Sequence, residues 1–375
     1  MRRLIEASLD HRLVVILLAL LLIGWGWSAF RLLPIDAFPD VTNVQVTVIS
    51  QAATLSPLEI EQLVTYPIEQ VCAGLPHSTE VRSLSKFGLS MVTVVFEDGT
   101  DIYFARQLVL ERIITVRDEL PEGTVSNLGP ISTGLGEVFQ YTLESPSHDL
   151  MELRTLQDWV LRPILRTVPG VAGVDSFGGY VKQFHVVADP MSLRRYGLAL
   201  EELAAAVAAN NAVAGGAFVE RGGEQFVVRG DGWVRSAEDL ENTVVAYRNN
   251  VPVLLEQVAT VELAPEIRQG AISRDARGET VAGIVLMLRG GSGRDVVEGV
   301  KQQLELARQS LPNDVEVVPF YDRSELVQTA LGTVQTALLQ GAVLVVLVLL
   351  FFMGSLRSAV VVAIQLPMAA LVTFG

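Results

Sequence analysis

Sulfur and imidazole are scarce in this chain, and each shortage closes a class of chemistry. Cys72 is the only cysteine among 375 residues, which leaves no intrachain disulfide, no thiolate metal centre and no redox pair. The four histidines, His11, His77, His148 and His185, are scattered. No two stand at ligand spacing on a helix, so each reads as a surface or turn residue. The seven methionines are dispersed, with no thioether cluster for a soft metal such as copper(I). Positive charge is also short: 28 Lys and Arg against 42 Asp and Glu give a net charge of -14. Nucleic-acid binding needs Lys and Arg on phosphates, so it is disfavoured. The acidic excess is compatible with cation traffic, although solvated acidic surfaces are common. No phosphate-binding loop is present: Gly290-Gly291-Ser292-Gly293 precedes a helix but lacks the following Lys-Ser/Thr, and reads as a plain strand–helix turn. No nucleophile and base stand together.

Apolar length is what the chain has. No charged residue occurs from Leu326 to Leu356, and the centre, Ala342 to Phe352, is almost pure Val, Leu and Phe. About 20 apolar residues at ~1.5 Å each cross a hydrocarbon core of ~30 Å. The run predicts a transmembrane helix over Thr333 to Met353. A buried core helix is the alternative, but one this long rarely lacks a polar face. A second charge-free run, Leu13 to Phe30, lies between Arg12 and Arg31, with Trp25 and Trp27 near its outer edge, where indoles favour the interface. The alternative here is a signal peptide, whose shorter apolar region would end in small residues before a cleavage site. This run ends instead in Trp-Ser-Ala-Phe-Arg-Leu-Leu-Pro. A third run follows the link Gly354 to Ser358 and reaches Gly375 inside a helix-like pattern, as expected of a fragment of something longer. Arg2, Arg3 and Arg12 precede the first run and Arg357 sits between the second and third, so these short segments are expected in the cytoplasm. Residues 34–331 then lie on the other side.

Between the runs the pattern repeats. Pro34 to Asp40, with two prolines and two aspartates, predicts a rigid exit turn. Alternating Val44, Val46 and Val48 predict a strand to Ile49. Ser56-Pro57 opens a helix, serine as N-cap and proline at the first position. It runs to about Ala73 and stops at Gly74-Leu75-Pro76. Strands over Glu80 to Ser85 and Met91 to Phe96, a turn and cap at Asp98 to Asp101, and a helix over Ile102 to Leu120 follow. The order is the ferredoxin-like β-α-β-β-α-β unit. It begins again with strand Val138 to Leu143, helix Asp149 to Thr167 and strand Val171 to Phe177. It ends with strand Val281 to Leu288, helix Arg294 to Leu311 and strand Val315 to Val318. Pro76, Val81 and Ser83 have the same spacing as Pro169, Val174 and Ser176, and Leu120-Pro-Glu-Gly resembles Leu311-Pro-Asn-Asp. Chance similarity is the alternative to two copies.

The second copy is interrupted from about Gly178 to Gly270. This insertion holds a helix, Leu200 to Asn210, and a hairpin, Ala217 to Arg221 and Glu224 to Arg229 about Gly222-Gly223. Two strands are too few to stand alone, so their own domain or a neighbouring subunit should cover them. Phe218, Glu220, Arg221, Gln225 and Val227 are the candidate contact residues. Among carboxylates, Glu137 in Thr133-Gly-Leu-Gly-Glu137 is the one that looks placed, at the Gly-rich start of a strand between the copies. A hard or borderline divalent ion could use such a carboxylate.

Several of these strings resemble a family. Pro34-Ile-Asp-Ala-Phe-Pro-Asp-Val-Thr-Asn-Val-Gln-Val46 is similar to the segment after the first span of heavy-metal efflux pumps in the resistance-nodulation-division (RND) superfamily. So are Phe96-Glu-Asp-Gly-Thr-Asp-Ile-Tyr-Phe-Ala-Arg106, Leu128-Gly-Pro-Ile-Ser-Thr-Gly-Leu-Gly-Glu137, Leu156-Gln-Asp-Trp159 and Pro169-Gly-Val171. The similarity runs from the N-terminus to Gly375 and is nearest to the cobalt-zinc-cadmium type. It implies membrane α-helical spans plus an α+β periplasmic region of two ferredoxin-like βαββαβ porter subdomains, the second interrupted by a docking subdomain. On that basis residues 1–33 hold the cytoplasmic N-terminus and first span, and 34–132 the first porter subdomain. Residues 133–177 and 271–325 form the second porter subdomain around a docking insertion at 178–270. The second span is then 326–356, and 357–375 is the start of the third.

The resemblance further implies a proton-driven secondary transporter rather than an enzyme. It implies a homotrimer in the bacterial inner membrane, a periplasmic adaptor protein and an outer-membrane channel. No cofactor is implied, and a divalent metal ion is the expected cargo. Glu137 matches the glutamate that contributes to a metal site in zinc-type members and that copper and silver members replace with methionines. The family's proton-relay carboxylates lie on a fourth span that this sequence does not reach, so residues 1–375 alone are not expected to pump. A drug or hydrophobe pump of the same superfamily, and a membrane-anchored periplasmic sensor, are the other classes open to this pattern.

Overall fold

Valines at every second position build the first strand, and their burial alternates as the pleat requires. The computed structural model describes residues 11–32, 41–268 and 270–353, together with 365 and 369. Apart from those last two positions, the expected exit turn at 34–40, the basic residues Arg2, Arg3 and Arg357 and the apolar run over 354–375 lie outside the described residues.

Helix α1 (Arg12–Leu32) is followed by β1 (Val44–Gln51), α2 (57–72), β2 (Ser78–Lys86), β3 (Leu89–Phe96), α3 (Ile102–Val116) and β4 (Val125–Leu128). The sheet order is β2-β3-β1-β4, the ferredoxin-like arrangement. Next come β5 (Glu137–Glu144), α4 (150–165) and β6 (Val171–Gly178). The intervening segment holds β7 (Lys182–Ala188), α5 (Pro190–Tyr196), α6 (Leu200–Asn210), β8 (Val213–Arg221), β9 (Glu224–Asp231), α7 (Ala237–Glu241), β10 (Val244–Arg248), β11 (Val251–Leu254) and β12 (Ala259–Pro265). The chain then forms β13 (Ile272–Ser273), β14 (Glu279–Met287), α8 (Gly293–Ala307), β15 (Glu316–Asp322) and α9 (Arg323–Met353). Strand β14 pairs with β5, β6 and short β13, and β15 pairs with β5. The four long strands thus repeat the first sheet's order. Val81 faces Val94 as Val174 faces Val285, and Ser83 faces Val92 as Ser176 faces Gly283.

Helices α2 and α4 share a further device. Each opens with a reciprocal cap, Ser56 with Glu59 and Asp149 with Glu152. Each then widens into a π turn, Glu61–Thr65 and Gln157–Leu161, just before Pro67 and Pro163. A proline inside an α-helix removes one N–H and clashes with the carbonyl four residues back. The wider turn avoids that contact: the N–H groups of Tyr66 and Arg162 reach the carbonyls of Glu61 and Gln157, five back. The π turns also place buried polar side chains on the sheets. The Thr65 hydroxyl bonds those of Ser90 and Ser85 (2.7 and 2.8 Å). Gln157 accepts from the Tyr141 hydroxyl at 2.9 Å, and burial pushes that phenol's pKa up.

Each copy has its own core, with Val46, Val48, Ile60, Ile68 and Val92 in the first and Tyr141, Leu143, Leu161, Val281 and Val297 in the second. Fully burying one such aliphatic side chain contributes about 1.5–3 kcal/mol. The intervening segment has a third core around Leu203, Leu240, Val253, Leu255 and Val258. It is richer in strands than a helix plus a hairpin. β7 pairs with β12, and β10 turns into β11 through Asn249 and Asn250, both at positive φ, the signature of a type I′ hairpin. His185 lies on β7 opposite Glu262, so it is a strand residue and not a turn residue.

Helix α9 begins at Arg323, well before Thr333, and runs unbroken for 31 residues, because no proline or cap interrupts it. Among the described residues it is the one helix long and apolar enough to cross a membrane; the apolar part of α1, Leu13–Ala29, is shorter. The hydroxyls of Thr329, Thr333 and Thr336 donate to carbonyls four residues back in α9 (2.8, 3.0 and 2.7 Å). Their polarity is thereby satisfied inside the helix.

Candidate metal-binding loop

Between β4 and β5 the chain passes through Gly129 to Gly136 and reaches Glu137. The loop is compact and held from several sides. The Gly129 N–H donates to the Thr47 carbonyl (2.7 Å), and Arg106 donates to the Gly129 carbonyl (2.6 Å). The Arg289 N–H donates to the Ile131 carbonyl (3.1 Å). Gly136 closes a tight turn onto the Thr133 carbonyl (2.9 Å) and accepts from the Met287 N–H (2.7 Å). A Cβ at Gly136 would displace the Ser132 hydroxyl and stand 3.0 Å from the Thr133 carbonyl, so the turn leaves little room for a side chain.

Glu137 is exposed at the first position of β5. Gln140 donates to its carboxylate at 2.6 Å. Glu137 faces Leu286 beside a register shift between Val285 and Leu286. Such bulges re-aim a side chain at a strand end. No group of three or more His, Cys, Asp or Glu placed to hold a metal occurs among the described residues. Glu137 is therefore a single donor on an exposed edge, and a complete coordination sphere needs further ligands.

Two arginines connect this loop to segments that sequence spacing could not associate with it. Arg289 donates to the carbonyls of Thr42 and Asn43 (2.6 and 2.7 Å) while its own N–H holds Ile131. Arg323, 5% exposed, donates to the Leu135 carbonyl. At the same junction Asp322 pairs with Lys301 of α8 and accepts from the Ser324 N–H and hydroxyl (2.8 and 2.6 Å). Burial alone would raise the Asp322 pKa, but the Lys301 and Ser324 contacts together hold it low.

The hairpin β8–β9 carries exposed Phe218, Val219, Phe226 and Val227. Its register puts Phe218 opposite Val227 and Glu220 opposite Gln225 on one face. Arg221 pairs with Glu224 on the other face, with Val219 and Phe226. The five candidate residues thus divide between two faces, and Val219 and Phe226, absent from that set, complete the second.

His148 is not isolated. It lies beside a groove of about 710 Å³ that is also lined by Glu144, Arg274, Arg277 and Glu279. The Ser145 hydroxyl (2.7 Å), the Ser147 hydroxyl and His148 Nδ1 (3.1 Å) all meet one oxygen of Asp314. Those serines, then His148, hold the Asp314 pKa well below the usual carboxylate range. Both serine hydroxyls also lie 3.1 Å from His148 Nδ1, the same nitrogen that meets Asp314, so this is a loop clamp and not a relay with nucleophile and orienter on opposite ring nitrogens. His77 sits in a turn at positive φ and contacts Glu97 at 3.0 Å.

Comparison with known proteins follows the same extent. The AcrB/AcrD/AcrF family matches residues 4–375. Protein HelA of Legionella pneumophila is 45% identical over 380 residues, covering 100% of this chain and 36% of that protein. The cobalt-zinc-cadmium resistance protein CzcA of Cupriavidus metallidurans is 43% identical, with 99% and 36% covered. The cation efflux system protein CusA of Escherichia coli K12 is 40% identical, again with 99% and 36% covered. A crystal structure of a heavy metal efflux pump superposes with a TM-score of 0.90 at 38% identity, over 99% of this chain and 38% of that chain. The chain spans about 36% of the length of these curated relatives.

Proposed function

The chain belongs to the AcrB/AcrD/AcrF family of RND permeases, and from that premise we propose that it is part of a proton-driven pump exporting divalent heavy-metal cations. Zinc, cobalt, cadmium or nickel is the proposed cargo. The observation that carries the metal class is Glu137: an exposed oxygen donor on a tightly fixed loop, in a sequence whose methionines are dispersed. Carboxylate oxygen suits a borderline divalent ion, and thioether suits copper(I). Relatives named for cobalt, zinc and cadmium and for cation efflux by CusA are similarly identical to this chain, so the donor atom discriminates where overall identity does not. In this reading the two repeated units are porter subdomains and the segment around β8–β9 is a docking subdomain. The apolar hairpin covers itself against the next protomer of a homotrimer. Residues 34–331 face the periplasm, where an adaptor protein and an outer-membrane channel receive the cargo. Helices α1 and α9 cross the inner membrane, and the proton relay and remaining metal ligands come from outside residues 1–375.

The test is Glu137→Gln in the full-length pump. Glutamine keeps the size and removes the charge. Zinc or cobalt resistance should fall about tenfold or more, since losing a group that only supports a metal ligand already costs that much, at unchanged expression and trimer content. Equal resistance at matched expression would return Glu137 to an ordinary loop residue, and resistance to hydrophobic drugs alone would favour the drug-pump reading.

A further inference from the structure

The loop that carries Glu137 is bound to both chain segments that lead toward the apolar helices. On the α1 side, Arg289 joins the Ile131 carbonyl, through its main chain, to the Thr42 and Asn43 carbonyls, through its guanidinium. On the α9 side, the guanidinium of Arg323 holds the Leu135 carbonyl, two residues before Glu137. Arg323 is the first residue of α9, and it is buried together with Ser324 and, one turn on, Val327. Asp322, clamped by Lys301 and Ser324, fixes the same helix start to α8. No break separates this first turn from the apolar stretch of α9. At ~1.5 Å per residue a continuous helix transmits an axial or tilting displacement along its length. The turn at Gly136 restrains the loop beside Glu137, since its N–H and its carbonyl are both hydrogen-bonded.

We propose that Arg323 is a positioning residue that couples movement of helix α9 to the Glu137 carboxylate through the Leu135 carbonyl. This rests on the reading of Glu137 as a metal ligand. Arg323 touches no metal and supplies no donor to it. Its role is to make the position of the ligand loop depend on the position of the helix. A buried guanidinium suits that role because its planar fork bonds carbonyls in a fixed direction. Losing it leaves the Leu135 carbonyl without this donor, so the loop should move independently of the helix.

The experiment uses the full-length pump, purified in detergent and reconstituted in liposomes with Zn²⁺ as cargo. Hydrogen exchange is read on the peptide covering residues 131–138. Arg323→Gln should speed exchange there about tenfold and leave the β5 amides from Phe139 onward unchanged. In transport, Arg323→Gln should lower the maximal Zn²⁺ flux about tenfold with KM within about twofold, because the donor is intact but no longer driven. Arg323→Lys, which keeps one donor and the charge, should recover part of both, and it serves if the glutamine variant does not assemble. Unchanged exchange at 131–138 in both variants would overturn the coupling. So would a raised KM with full maximal flux. Glu137→Gln separates the two ideas: an unchanged Zn²⁺ KM in that variant removes the metal assignment, while the exchange measurement still decides whether Arg323 holds the loop.

Discussion

The two repeated sheets share strand order, capped helices, and π turns followed by a proline, yet they differ at their edges. The first ends in β4, four residues long, beyond which Arg106 of α3 reaches the Gly129 carbonyl. The second ends in β15, seven residues long, which runs directly into α9. There Lys301 of α8 reaches a buried carboxylate, Asp322. The second copy also begins differently, at Glu137 after a Gly-rich loop. Matched positions in the cores therefore report folding, and the unmatched edges report the use made of the second copy. Core layers differ mainly in how volume is divided. Val48 faces Val92 in the first sheet; the matching pair in the second is Tyr141 and Gly283.

That pair gives the largest expected effect. A Cβ at Gly283 would lie 2.3 Å from Tyr141 Cζ, and Tyr141 is fully buried. Gly283→Val should destabilise the chain by about 3 kcal/mol, the upper range for overpacking, read as a lowered thermal midpoint in detergent. Adding Tyr141→Val recreates the first copy's pair and should recover at least half the loss; the remainder is the hydrogen bond from Tyr141 to Gln157. A double variant no more stable than the single one would show that the two layers are not equivalent.

A smaller effect separates the two strand ends by pH. Asp322 has its pKa held below its ordinary value of 3.8 by Lys301 and Ser324, which together outweigh burial. A depressed carboxylate contributes stability above its unfolded pKa and loses it as pH falls through the folded one. Asp322→Asn should cost about 1.5–3 kcal/mol at pH 7, as for a hydrogen bond to a charged group, and the gap from wild type should close below pH 3.8. Arg106→Gln, at the corresponding end of the first copy, removes a contact to a carbonyl and should cost the same at both pH values. Parallel pH profiles for the two variants would erase the distinction.

Sequence reading reached what is locally encoded. Ser56-Pro57 and Asp149 mark helix starts because capping is a contact over three residues. Alternating Val44, Val46 and Val48 mark a strand because the pleat has period two. The prolines Pro67 and Pro163 signal the π turns, and Asn249-Asn250 the second hairpin, but each is a one- or two-residue mark inside a longer pattern that it does not interrupt. Glu137 was legible from its glycine-rich setting. Its restraints were not, because Arg289 and Arg323 reach the loop from far along the chain. The division of the β8–β9 residues between two faces follows from alternation along each strand and from the two-residue Gly222-Gly223 turn, which sets Arg221 opposite Glu224.

The smallest effect concerns the ends of α2 and α4. Cys72 closes α2 and Leu165 closes α4, and both are fully buried. Leu165 packs a branched side chain that Cys72 lacks, so truncating each to alanine should cost unequal amounts: about 2–5 kcal/mol for Leu165→Ala, and about 1 kcal/mol for Cys72→Ala, which removes a single sulfur. The thiol also supplies a probe that leaves the core undisturbed. Burial pushes its pKa up to about 11, and the thiolate is the reactive form. At pH 8 a disulfide reagent should therefore label Cys72 at least a hundredfold more slowly in the native chain than after denaturation, the thiolate fraction and access both being reduced. Labelling in Gly283→Val should stay as slow as in wild type, because Cys72 belongs to the first core and Gly283 to the second. Fast labelling in that variant would mean that the two copies open together, and the comparison between them as separate cores would fail.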